Sequence, residues 1–117
     1  MAIDAKDEAG NLVHLTVRDR LTTADQAALV YFITKAVQRH GRIRLLVGLD
    51  GFAGWARDDE WGDEALRIAD DASITKAAFV GEERWRTEVE LFVSKPFRTI
   101  PIEYFTAESA ARIWLAA

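Results

Sequence analysis

The chain contains no cysteine. That excludes disulfide bonds, thiol nucleophiles and thiolate-ligated zinc or iron–sulfur centres. Prolines are scarce, with only Pro96 and Pro101 to interrupt regular structure. Long apolar runs are missing too, and none approaches the roughly 20 residues of a membrane span. The opening MAIDAKDEAG is polar and acidic, unlike a secretory leader, so the expectation is a cytoplasmic protein with no transmembrane segment. Positive charge is not in excess: the net charge is −4, whereas binding to nucleic acid needs a basic footprint. Arg39, His40, Arg42 and Arg44 do cluster, but where a helix ends and a strand begins, a place where the helix dipole favours cations.

Reactive patterns are absent as well. Gly48, Gly51 and Gly54 follow GxxGxxG spacing, which is neither the dinucleotide fingerprint nor a phosphate loop. Ser73, Ser94 and Ser109 lack a nucleophile-elbow context, and His14 and His40 have no partner in the sequence. The acids Asp50, Asp58, Asp59, Glu60 and Asp63 are dense, but they miss the alternating spacing of an oxygen-ligand cation loop. No cofactor, metal site or catalytic residue is expected from these patterns, and the chain does not read as an enzyme. The enzymatic alternative would need Asp50, or Glu82 and Glu83, to meet a second group with a defined role in one concave site.

What the 117 residues do carry is regular alternation of short strands and amphipathic helices, in a length suited to one domain spanning residues 1–117. Residues 2–8 form a poorly alternating strand, expected at a sheet edge, and Gly10-Asn11 marks a turn. Residues 12–17, LVHLTV, alternate apolar and polar positions, so they read as a half-buried strand and complete a hairpin. Residues 21–41 hold the clearest helix, with Thr23 and Gln26 as a capping box and Leu29, Val30, Ile33, Ala36 and Val37 as its apolar stripe. IRLLVGL, 43–49, is almost wholly apolar and suits a central strand covered on both faces. Residues 58–72 read as a helix with Trp61 facing inward. Residues 76–81 follow as a buried strand. Residues 82–95 are then a helix whose inward positions are Trp85, Val89, Phe92 and Val93. Residues 100–105 form an edge strand, with Pro101 near its start. A last helix is capped by Thr106, with Ala107, Ala110, Ala111 and Trp114 inward. The order β-β-α-β-α-β-α-β-α predicts an α/β sandwich around a mixed, mostly parallel sheet of about five strands.

Several stretches, LTTADQ (21–26), RIRLLVGLDGFAGW (42–55), AAFVGEERW (77–85) and IPIEYFTAESAARIWL (100–115), resemble the SpoIIAA-like family of STAS-type domains. The resemblance spans about Val13 to Leu115. It implies the fold of the bacterial anti-sigma factor antagonists, which is also similar to that of lipid-carrying CRAL-TRIO domains. Relatives tend to carry glycine just before LT, where this chain has Asp19-Arg20. True antagonists also carry a serine after the central strand, which a partner kinase phosphorylates, and the added charge blocks docking. Residues 51–72 contain no Ser or Thr, so that switch has no acceptor here. Asp58 and Asp59 are open to two readings, a permanent acidic substitute or ordinary helix caps. Asp50 ends a parallel strand, where α/β sheets bind ligands, or it simply starts a turn. Phe52 and Trp55, between glycines, either plug the sheet end or form a docking surface.

Two functions follow from these readings. One is a non-catalytic module that binds a protein partner or itself through Asp50, Phe52, Trp55, Asp58, Trp61 and Trp85. The other is a small carrier of an apolar ligand or lipid, held in a pocket at the same end of the sheet.

Overall fold

The computed structural model describes residues 3–56, 73–93, 95 and 99–117. The strands are β1 (Ile3–Glu8), β2 (Leu12–Leu21), β3 (Ile43–Trp55), β4 (Ile74–Val80) and β5 (Ile102–Phe105). They form one sheet in the order β1-β2-β3-β4-β5. The β1–β2 hairpin is antiparallel, and every later pairing is parallel. Three α-helices lie among the described residues: α1 (Thr23–His40), α2 (Arg86–Phe92), which follows a 3-10 turn at Glu83–Trp85, and α3 (Glu108–Ala116). The mixed, mostly parallel five-stranded α/β architecture is therefore the one expected. The helix expected over 58–72, with Asp58 and Trp61, lies outside the described residues. No described helix is long and apolar enough to cross a membrane.

Period-two alternation sorts the side chains of each strand onto two faces. Val13, Leu15 and Val17 of β2, Leu45 and Val47 of β3, Ala77 and Phe79 of β4, and Ile102 and Tyr104 of β5 pack beneath Leu29, Ile33 and Ala36 of α1 and Val89 of α2. Leu12, Leu46 and Ala78 point the other way, onto Ala111 and Leu115 of α3. Leu45 and Leu46 are both fully buried, as the reading of β3 as a doubly covered strand requires. Cations secure α3 at its C-terminus. Arg44 donates to the Leu115 carbonyl at 2.9 Å, and Lys76 Nζ donates to those of Trp114 and Ala117 at 2.9 and 3.0 Å.

Local details depart from expectation for identifiable reasons. The N-cap of α1 is Thr22, and its box partner is Asp25, each side chain bonding the other's backbone N–H at 3.1 Å. With two threonines in a row and an acid exactly three residues after the first, the earlier threonine takes the cap. The N-cap of α3 is Ala107, with no side-chain cap bond. Starting the helix after Thr106 turns Ala111 and Leu115 inward and leaves Ala107 and Ala110 exposed. The largest departure is in β3, which runs on through Gly51-Phe52-Ala53-Gly54 to Trp55 where a loop was expected. Gly51 and Gly54 have φ of 63° and 98°, so the glycines let the strand bulge rather than turn. The β2–β3 register shifts on both sides of Asp19, whose φ is 55°. That left-handed backbone is ordinarily a glycine conformation, and aspartate is among the few side chains that tolerate it.

Candidate functional site

Two regions at the C-terminal ends of the parallel strands collect the candidate residues, one on each face of the sheet. On the face of α1 and α2, the bulged end of β3 folds its aromatics inward. Phe52 is buried, at 5% exposure. Its ring stands edge-on to Trp55 and Trp85, with centroids 5.1 and 5.0 Å away. Trp55 also meets Phe92 at 5.2 Å. Gly54 lies against the Trp85 indole so closely that a Cβ would come within 3.3 Å of the ring. Arg84 covers that ring from outside, 4.7 Å from its centroid. Phe52 thus plugs the end of the sheet, while Trp55 and Trp85 are half-buried.

Behind this plug an apolar cavity is lined by Leu21, Leu29, Phe52, Trp55 and Val89 among others, with a volume of about 40 Å³. Small-molecule pockets usually measure roughly 300–1,000 Å³. The described core therefore offers no chamber for a lipid, and the carrier reading loses its main physical support.

The other face is different. Helix α3 packs over Leu12, Leu46 and Ala78. Beyond it lies an open groove of about 720 Å³. Its floor is made by Thr16, Gly48 and Val80, and its rims by His14, Arg18, Asp50, Glu82 and Glu108. Asp50, Glu82 and His14 thus come into one concave site, the arrangement that the enzymatic alternative needed. Each also has a charged neighbour of its own. Asp50 is 3.7 Å from Arg18, which also binds Asp4. Glu82 pairs with Arg84 at 3.0 Å. His14 Nδ1 lies 3.1 Å from Glu8, and its Nε2 is 4.0 Å from Glu108. Arg112 closes this network, donating to Glu8 at 2.9 and 3.1 Å and to Glu108 at 2.8 Å. The hydrogen bonds from Arg112, with a smaller contribution from His14, hold the Glu8 carboxyl down at a pKa of about 2. No hydrogen bond joins Asp50, Glu82 and His14 to one another among the described residues. Nor do three His, Asp or Glu side chains there converge as metal ligands. The groove offers hydrogen-bonding groups and paired charges along its rims.

Of the expected site residues, Phe52, Trp55 and Trp85 come together on one face, and Asp50 stands apart on the other. Asp58 and Trp61 lie outside the described residues. His14, Thr16, Arg18 and Glu108 were not anticipated in the site. For the first three a signal existed, since the polar positions of β2 alternate and so must share one face. Glu108 is placed by tertiary packing alone.

A family model described as SpoIIAA-like matches residues 12–116. Among solved structures, the chain is similar to an uncharacterized protein with a SpoIIAA-like fold from Shewanella loihica PV-4. The TM-score is 0.73 and the identity 18%, over 97% of this chain and 93% of that one. A comparison with curated proteins finds none that matches.

Proposed function

The chain belongs to the SpoIIAA-like family, and we propose that it is a non-catalytic interaction module that docks a protein partner on the sheet face beside α3. The observation that carries this reading is the groove itself. Parallel sheets ordinarily have both faces covered, yet among the described residues β2, β3 and β4 leave a polar stretch of one face open beyond the first turn of α3. The charged groups of its rim are held by neighbours before any partner arrives, so docking orders few new side chains and costs correspondingly little entropy. Regulation by phosphorylation after the central strand has no Ser or Thr to act on between residues 51 and 72. In this reading docking is constitutive, or it is controlled elsewhere.

Thr16→Arg, which fills the floor of the groove, and Gln38→Arg, which adds the same charge on the exposed side of α1, make a matched pair. In quantitative affinity capture from cells, the expected result is a protein retained by wild type and Gln38→Arg but lost with Thr16→Arg. Identical capture by all three would sink the reading. Light scattering on the same proteins separates self-association: a dimer broken only by Thr16→Arg would identify the partner as a second copy.

A further inference from the structure

We propose that a second site, the cleft beside Trp55 and Trp85, binds a small flat molecule bearing a single carboxylate. The cleft is lined by Arg20, Ala53, Gly54, Trp55, Trp85 and Glu88, with a volume of about 540 Å³, the size of ordinary small-molecule sites. It lies on the opposite side of the sheet from the polar groove, and nothing in the docking reading depends on it.

Three features define the ligand. The walls are indoles and glycine backbone, which favour a flat apolar body that stacks or meets ring edges. Trp55 Nε1 and Trp85 Nε1 are both buried and have no hydrogen-bond acceptor among the described residues. One such donor is uncommon in a folded protein, and here two sit on touching rings, with centroids 6.1 Å apart, and no described residue supplies either with an acceptor. Both atoms are shielded from solvent, so seating the ligand turns at least one half-buried indole toward it. Finally, Arg20 and Glu88 line the cleft without an ion pair among the described residues. Arg20 supplies the counter-charge that strengthens a hydrogen-bonded carboxylate. Glu88 disfavours a second negative charge, which limits the ligand to a monoanion.

The indole N–H signals report the event directly. In 15N-labelled protein, the four tryptophan side-chain cross-peaks are assigned with Trp→Phe variants and followed during titration. Indole-3-acetate is expected to move the Trp55 and Trp85 peaks together and saturably, with a Kd of about 1 mM or tighter. Acetate, which has the acceptor without the ring, and phenethylamine, which has a ring without the acceptor, are expected to leave both peaks in place. Arg20→Gln, at an exposed position, should weaken indole-3-acetate about tenfold. No saturable movement with indole-3-acetate, equal movement with phenethylamine, or unchanged affinity in Arg20→Gln would each overturn the proposal.

Discussion

The two faces of the sheet are held by different physics. Beneath α1 and α2 lies a continuous apolar layer running from Ile3 on one edge strand to Tyr104 on the other, closed at one end by Phe52. Beneath α3 the apolar contact shrinks to a small patch around Leu46, Ala78, Ala111 and Leu115. Carbonyl-bound cations at one end of the helix and the Glu8–His14–Arg112–Glu108 network along its side hold the rest. Apolar burial is non-directional and grows with area, so the first face is stable but saturated. Ion pairs and hydrogen bonds contribute less per residue, but they hold a helix without covering the sheet. The incomplete cover of the second face is what leaves the groove.

Adjacent residues of β3 allow the sharpest test of this contrast. Leu45 and Leu46 are equally buried but point into opposite layers. Leu45→Ala leaves its void in an extended, close-packed layer that cannot collapse, and should cost about 3–5 kcal/mol. Leu46→Ala opens a void beneath one short helix that can settle into it, and should cost about 2–3 kcal/mol. Urea unfolding followed by circular dichroism, compared at a common slope, measures both. Equal losses would mean that the two faces are packed alike.

A somewhat smaller effect is expected at Gly81, where a Cβ would come within 2.6 Å of the Tyr104 hydroxyl and 3.0 Å of Leu49 Cβ. The same hydroxyl donates to the Glu82 carbonyl at 2.7 Å, and burial pushes its pKa up to about 12. Gly81→Ala should cost about 1–3 kcal/mol through crowding, and Tyr104→Phe about 1 kcal/mol through the lost hydrogen bond. Since the second change removes the nearest of the atoms with which the first collides, the double variant should be more stable than the sum of the two losses predicts. Strict additivity in the double-mutant cycle would show that the two side chains do not compete for the space.

These same residues mark where sequence was sufficient and where it was not. Burial on two faces was legible in IRLLVGL because an uninterrupted apolar strand has only one stable location in a layered fold. The inward stripe of α1 was legible from its period, which placed Leu29, Ile33 and Ala36 together. The run from Gly51 to Trp55 misled because positive-φ glycine serves bulges and turns equally. Only pairing with β2 across Asp19 separates the two, and that pairing is long-range. At α3 the cap stands one residue later than expected, and Ala107 and Ala110 are left exposed while Leu115 joins the expected Ala111 in the buried stripe. The polar groove was the least legible feature. Its residues come from β2, from the ends of β3 and β4, and from the start of α3, and only the order of strands in the sheet brings them together.

The subtlest difference between the faces is their response to acid. The Glu8 carboxyl falls from its ordinary value of 4.5 to about 2 in the folded protein, chiefly because Arg112 bonds its charged form. A folded-state pKa below the unfolded one means that the stabilisation is complete above pH 4.5 and is lost as pH falls from there toward about 2. Glu8→Gln removes the titration while keeping a hydrogen-bonding side chain. Near neutral pH the variant should be less stable by about 1 kcal/mol, the scale of a partly exposed pair. That deficit should close as the pH is lowered through the window, whereas the deficit of Leu45→Ala, which involves no charge, should stay constant relative to wild type. Parallel urea titrations at several acidic pH values measure both gaps. A Glu8→Gln deficit that does not change with pH would mean that packing, and not charge, seats α3 beside the groove, and the physical contrast between the faces would disappear.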